Sequence, residues 1–225
     1  MKLFFRALLI CAICLMGYLC IDSIMRPIRF DQEKAIRDRA VIERLIDIRT
    51  AQVAFKNAHG MYANEFDTLI GYVKYGQMPF VLKEGELTDQ QLENGLTERD
   101  AAEIVARGRA WEIKKWGLEG FRRETTYVSV LDTLFGASFP IDSIRYVPYA
   151  ANGEQFELQA GDVSTGASGL VVRVFQANTP LETYLVGMDK QEVLNLRLTA
   201  EKLGKYPGLM VGNIFEANNN AGNWE

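Results

Sequence analysis

The sequence predicts an α+β fold carried on an N-terminal membrane helix, and three patterns lead to it. Residues 3–25, LFFRALLICAICLMGYLCIDSIM, are almost wholly apolar, with no charge from Ala7 to Ile21. Residues 31–58 space their apolar groups as an amphipathic helix does. From Thr125 onward, β-branched and aromatic runs alternate with Gly, Asn, Pro and Ser, the pattern of short antiparallel strands.

At about 1.5 Å of rise per residue the apolar stretch reaches roughly 35 Å, enough to cross about 30 Å of hydrocarbon with some tilt. Its exit, GYLCIDSIMRP, offers no convincing pair of small residues for a signal peptidase. Tyr18 and Leu19 stand before Cys20, where a lipoprotein box would carry small side chains. A retained anchor over residues 1–27 is therefore favoured over a cleaved signal, with the lipid bilayer as its partner. Arg6 and Asp22 lie near the two ends of the stretch, where side chains can reach the headgroups. Cys11, Cys14 and Cys20 are the only cysteines and all lie inside the stretch. There Cys11-x-x-Cys14 reads as two small apolar residues sooner than as a redox or metal motif. A cysteine-free external domain fits an oxidising compartment without requiring one.

The 200 residues from 26 to 225 can bury a sizeable core, and the whole chain carries a net charge of −4. No basic stripe or acidic tail argues for nucleic acid. Charge does not settle orientation. Arg26, Arg29, Lys34, Arg37 and Arg39 come after the apolar stretch and favour a cytoplasmic domain, whereas the short basic start, Lys2 and Arg6, resembles signal anchors that export the domain C-terminal to them.

Pro27 fits a kink or break at the membrane surface. Beyond it, Asp31 to about Ala58 reads as one helix, part of a segment 28–75. Val41, Leu45, Ile48, Gln52 and Phe55 form its stripe, widened by Ile42, Ile46 and Val53. Arg37, Arg39, Glu43, Arg44 and Asp47 occupy the opposite face, with Glu33–Arg37 and Arg39–Glu43 as four-residue pairs. The stripe either packs on the sheet of its own domain or presents Val41, Leu45, Ile48 and Phe55 to another subunit near the membrane. His59-Gly60 ends the helix, and a short turn comes next over Phe66, Leu69 and Ile70.

Residues 76–120 read as a partly helical insertion. FVLKEGEL suggests a strand, Thr88 and Thr97 suggest caps, and ERDAAEIVARGRAWEIKKWG suggests one charged helix with Ala101, Ile104, Val105 and Trp111 on one side. In 121–225, strands are expected in TTYVSVLDTLF, SIRYVPYA, EQFELQAGDV and GLVVRVFQA, with a further one in ETYLVGM. Asn152-Gly153 has hairpin-turn chemistry. A final helix at about Lys190 to Leu203 precedes PGLMVGNIFE and the polar tail ANNNAGNWE.

The first third of the chain resembles the type IV pilins and the pseudopilins of type II secretion. IRTAQVAFKNAHGMYANEFDTLI carries the resemblance, with Ala51 and Phe55 at the helix end, a turn at Gly60 and Tyr62, and the pair Asp67 and Leu69. The chain lacks the Gly followed by Phe or Met of a prepilin peptidase site and the Glu of the pilin helix. The only Gly between Phe4 and Met25 is Gly17, and Asp22 is the only acid. The whole chain, including DTLFGASFPIDSIRYVPY and EQFELQAGDVSTGASG, also resembles a membrane-anchored family of Bacteroidetes, which adds a phylum and no activity. The pilin resemblance implies a helix packed on an antiparallel sheet. It also implies a periplasmic domain on the inner membrane, and homo- or hetero-oligomeric envelope proteins as partners.

Chemistry is sparse. His59 is the only histidine, and at a helix end it reads as a neighbour of the last carbonyls more readily than as a catalytic base. GDVSTGASG, 161–169, lacks the Gly-Lys-Ser/Thr of a phosphate loop and reads as a hairpin loop. Asp132, Asp142 and Asp162 read as turn residues. Trp111 and Trp116 read as core rather than as a carbohydrate platform. No catalytic, cofactor-binding or metal-ligating residue is singled out, and no cofactor or small-molecule substrate is expected. A structural or assembly subunit of a cell-envelope complex, not an enzyme, is the reading the sequence favours. A ligand-binding or sensory domain using the 76–120 block as a pocket wall is the alternative.

Overall fold

The computed structural model describes residues 2–165 and 169–225. In chain order its elements are α1 (Lys2–His59), α2 (Phe66–Tyr75), β1 (Gln77–Glu84), α3 (Asp89–Glu93), α4 (Glu98–Ala106), α5 (Ala110–Trp116) and β2 (Arg122–Ser129). Beyond them lie α6 (Val130–Leu134), β3 (Glu157–Thr165), β4 (Leu170–Pro180), α7 (Leu181–Tyr184), α8 (Lys190–Lys202) and β5 (Gly208–Gly212). The fold is α+β, with a long apolar N-terminal helix and two small antiparallel sheets. Two compact units divide it: Met1–Tyr72 with Pro140–Glu225, and Val73–Phe139.

In the first unit α1 runs without a break through Pro27. The expected stop at Pro27, with a second helix starting at Asp31, is thus corrected to one helix of 58 residues. A proline inside a helix lacks one amide donor and crowds the carbonyl four residues back, here Ser23. Ion pairs bridge the turns on both sides, Asp22 with Arg26 at 2.6 Å and Glu33 with Arg37 at 2.9 Å. An 18-residue window near its start has mean hydropathy 1.8 and contains no buried residue, so this helix is long and apolar enough to cross a membrane. Further along, the same helix becomes core. Val41, Leu45, Ile48 and Ala51 are 0 % exposed, on the face that meets β4 and β5.

Strands β3, β4 and β5 pair in that order, with β4 in the centre. Phe175, Ala177 and Val211 are fully buried on one face of this sheet. Burying Phe175 and Val211 contributes about 1.5–3 kcal/mol each. Gly60, at φ 74°, turns the chain out of α1, and its amide donates to the Lys56 carbonyl at 2.7 Å. The buried Gln52 side chain then holds the return. Its Nε2 donates to the Ala63 carbonyl at 2.7 Å and its Oε1 accepts from the Ala63 amide at 2.9 Å.

The second unit pairs β1 with β2 along eight residues, Gln77 opposite Ser129 through Glu84 opposite Arg122. At the far end of this ribbon Gly85, at φ 68°, approaches Gly120 so closely that a Cβ would lie 2.5 Å from its carbonyl oxygen. Arg123 fastens the same end. Its guanidinium donates to the carbonyls of Glu84 and Gly85 and stands 4.0 Å from the Phe121 ring centre. Leu96, Ala101, Ile104, Leu118 and Phe121 form the unit's own core.

Several sequence expectations are corrected. Strand 122–129 belongs with β1, not with the later strands, because the connection through 85–121 folds into helices and brings the two strands back together. Both strands lie in the compact unit Val73–Phe139. The single charged helix is two, α4 and α5, parted at Gly108, whose φ of 68° an α-helix does not accept. TTYVSVLDTLF ends as a strand at Ser129, whose hydroxyl accepts from the Asp132 amide and opens α6. SIRYVPYA forms only an isolated bridge, Tyr146 opposite Gln155, around the Asn152-Gly153 turn. ETYLVGM is no strand; Leu181–Tyr184 makes a helical turn after Pro180.

Truncating Leu45 to Ala should lower unfolding free energy by about 2–5 kcal/mol. Ile46→Ala, on the half-exposed side of the same turn, should cost under about 1 kcal/mol by the same measure. Urea titration of the full chain in detergent checks both.

Candidate functional site

The four residues advanced for a subunit contact, Val41, Leu45, Ile48 and Phe55, are all buried within the chain, Phe55 at 6 % exposure and the others at 0 %. Their apolar surface is spent on the domain's own core, the first of the two roles that the sequence left open. The charged face beside them is not a plain solvated face. Arg37 Nη1 donates to the carbonyls of Tyr184 at 3.1 Å and Val186 at 2.9 Å, and its guanidinium lies over the Tyr149 ring. Arg44 donates to the Ser143 carbonyl at 2.6 Å. Arg49 meets Glu225 at 2.6 Å, and Tyr62 bonds Asn220, so α1 also holds the polar tail. Three arginines of one helix thus hold the end of α7, a 3-10 turn and the C-terminal tail by charge-assisted hydrogen bonds. Sequence reasoning missed these ties; the partners of Arg37 and Arg44 are main-chain carbonyls, which no sequence pattern marks.

Where α1 leaves its apolar stretch, a cleft of about 460 Å³ opens between Leu19, Asp22, Ser23, Arg26, Pro27 and Phe30 and the start of α8 at Asp189, Gln191 and Glu192. Asp189 caps α8, its carboxylate accepting from the amides of Gln191 and Glu192. A second groove of about 390 Å³, mostly apolar, lies between α7 and α8 over Leu185, Val186, Met188, Val193 and Leu194. In the second unit a more polar cleft of about 390 Å³ lies between α3 and α5, at Gln91, Lys114 and Trp116.

The remaining sequence candidates are not gathered into a site. His59 stacks on Phe55 at 4.2 Å, with Nδ1 3.2 Å from the Phe55 carbonyl and Tyr72 edge-on. This is the helix-end setting expected for it. Gly161–Thr165 of the glycine-rich segment is strand, not loop, while residues 166–168 lie outside the described residues. Asp132 lies in α6, Asp142 in a 3-10 turn and Asp162 in β3. Trp116 packs on the second unit's core, but Trp111 is 63 % exposed, a correction to its reading as core. Among the described residues no three His, Cys, Asp or Glu side chains converge to hold a metal ion.

Sequence reasoning also missed an exposed apolar surface. On the β1–β2 ribbon, Phe80, Val81, Leu82 and Tyr127 all face solvent, Phe80 at 55 % and Tyr127 at 64 % exposure. Alternation puts Phe80 and Leu82 on one face and Val81 on the other, where Tyr127 joins it opposite Pro79. Both faces of a two-stranded ribbon are therefore apolar in part, an unfavourable arrangement for a ribbon standing alone in water.

Comparison with known proteins finds no matching family model, no matching curated protein and no matching solved structure.

One buried ionisable group marks the tie between α1 and α7. The Tyr184 phenol is held well above the ordinary tyrosine range, first by burial and then by the negative charge of Asp38. The folded state keeps this proton at pH values where the unfolded chain, at about 10, releases it. Its contribution to stability is therefore present below about pH 10 and lost as pH rises beyond it. Melting temperature should fall less steeply between about pH 9 and 11 in Tyr184→Phe than in the native chain, with a residual slope from Tyr72 and Tyr206, both also raised by burial.

Proposed function

We propose that the chain is a single-span membrane protein that serves as a structural or assembly subunit of a cell-envelope complex. On this reading its architecture is of the pilin and pseudopilin kind, its anchor lies in the inner membrane and its domain in the periplasm. The observation that carries the reading is α1, whose apolar stretch, exposed from Leu9 to Ile21, and buried central stripe belong to one uninterrupted helix. Such a helix fixes the first unit at a set height from the bilayer, which suits a placed part better than a tethered one.

The ribbon of the second unit supports the assembly part of the reading. Exposed apolar groups on two strands with free edges are the chemistry by which a partner adds a strand or covers a face. The contact surface is accordingly moved from the buried stripe of α1 to Phe80, Leu82, Val81 and Tyr127. The ligand-binding alternative would use the cleft between α3 and α5, and saturable stabilisation of the chain by a small molecule would favour it.

Crosslinking in intact cells, with mass spectrometry of copurifying proteins, tests the assembly reading. The double variant Phe80→Asp and Tyr127→Asp should keep the melting temperature of the chain and lose its crosslinked partners by tenfold or more, which is about 1.4 kcal/mol of contact energy. Undiminished capture by a folded variant, or a native chain that remains monomeric while known envelope complexes are trapped in the same cells, would contradict it.

A further inference from the structure

Helix α8 carries an exposed stripe whose meaning rests on the reading of α1 as a membrane anchor. Residues Lys190, Leu194, Leu198 and Lys202 succeed one another at four-residue steps, each advancing about 40° round the helix. They make one stripe of two leucines bracketed by two lysines. All four are exposed, Leu194 at 37 % and Leu198 at 40 %. Val186, also exposed, lies with Lys190 and Leu194 along the groove between α7 and α8, and Leu203 extends the apolar surface past the helix end. The buried side of α8 is supplied by Val193, and Arg197 pairs with Glu182 of α7. The exposed leucines are therefore surplus to the packing of the unit.

Position says what covers them. The first turn of α8 lines a cleft together with Leu19, Asp22, Ser23, Arg26, Pro27 and Phe30, the residues at which α1 passes from its uncharged run to its charged one. The Arg37 ties hold the preceding turn against α1 at Tyr184 and Val186. A helix that begins beside the exit of a membrane span begins at the height of the headgroups. A short apolar stripe flanked by lysines is the pattern of a helix lying in that layer, with leucines toward the acyl boundary and ammonium groups among the phosphates.

We propose that α8 is a membrane-surface helix: Leu194 and Leu198 enter the interfacial layer of the bilayer that α1 spans, and Lys190 and Lys202 meet its headgroups. Asp22, Asp189 and Glu192 line the cleft at the start of α8, and Glu201 pairs with Arg197 in its last turns, so apolar insertion rather than attraction to anionic lipid supplies most of the contact. The domain would then rest on the membrane at two points, which fixes its rotation about α1 as well as its height.

The test uses the full chain in vesicles of phosphatidylethanolamine and phosphatidylglycerol, with the native cysteines replaced by serine except where stated. An environment-sensitive fluorophore is placed in turn at Leu198→Cys, at Met61→Cys beyond the far end of α1, and at the native Cys14. Quenchers are carried on shallow or deep acyl positions. The expected result is deep quenching at Cys14, severalfold stronger shallow quenching at position 198 than at 61, and a blue-shifted emission at 198. Deep quenching at Cys14 with a water-exposed label at 198 would overturn the role of α8 and leave the anchor standing. A label at 198 that is shielded from water yet unreached by lipid quenchers would overturn it in favour of a protein contact, a second copy included. No quenching at Cys14 would overturn the anchor and, with it, this inference.

Discussion

Everything in the first unit depends on one constraint: a single helix has to satisfy two solvents. From Leu9 to Ile21 the side chains of α1 are almost all apolar and exposed. From Phe30 onward selected positions turn into a protein core. No glycine-rich or disordered linker separates the two regimes, and even Pro27 fails to interrupt the backbone. Because Val41, Leu45, Ile48 and Ala51 are wholly buried against β4 and β5, the helix cannot leave the unit without unfolding it. Val41, Leu45 and Ile48 each forfeit roughly 1.5–3 kcal/mol if exposed, a large share of the 5–15 kcal/mol that holds an ordinary domain together. The anchor and the fold are therefore energetically the same element.

Polar chemistry completes what apolar burial begins. Arg37, Arg44 and Arg49 reach from α1 to the end of α7, to a 3-10 turn and to the C-terminal tail, and Gln52 satisfies both backbone groups of Ala63 in a buried turn. Removing the Gln52 amide group leaves the buried Ala63 amide and carbonyl unmatched, which costs about 1–3 kcal/mol. The second unit is built differently. It has a small core of its own, a ribbon pinched at Gly85 and Gly120, and Arg123 as the fastening. Its exposed aromatic and aliphatic groups are the main apolar surface that folding of this unit leaves uncovered.

Legibility in the sequence tracked periodicity. The apolar start, the stripe from Val41 to Phe55, the Gly60 turn, the caps at Thr88 and Thr97, strand β4 and helix α8 all carry local patterns strong enough to read. Other features depended on what lies far away in the chain. Gly108 can end a helix or sit inside one, and its neighbours do not decide. Ser129 had to be recognised as a cap in the middle of a β-branched run. The pairing of β1 with β2 across residues 85–121 leaves no trace in either strand, so the division into two sheets was hidden. Arg37 and Arg44 looked like solvated charges because their partners are carbonyls, which no sequence pattern marks. Val41, Leu45, Ile48 and Phe55 could be read as core or as contact surface, and only the packing of β4 and β5 decides between them. For the ribbon, the composition of β1 was visible, but its exposure was not.

Hydrogen exchange along α1, read by mass spectrometry on the full chain in lipid nanodiscs, probes most directly whether anchor and domain are one helix. Protection should run without a gap from the membrane span through Pro27 into the buried stripe at Val41, and Leu45→Ala should weaken it on the domain side. Fast exchange confined to about residues 24–34, with protection on both sides, would contradict a continuous α1 and make the domain a tethered body rather than a fixed one.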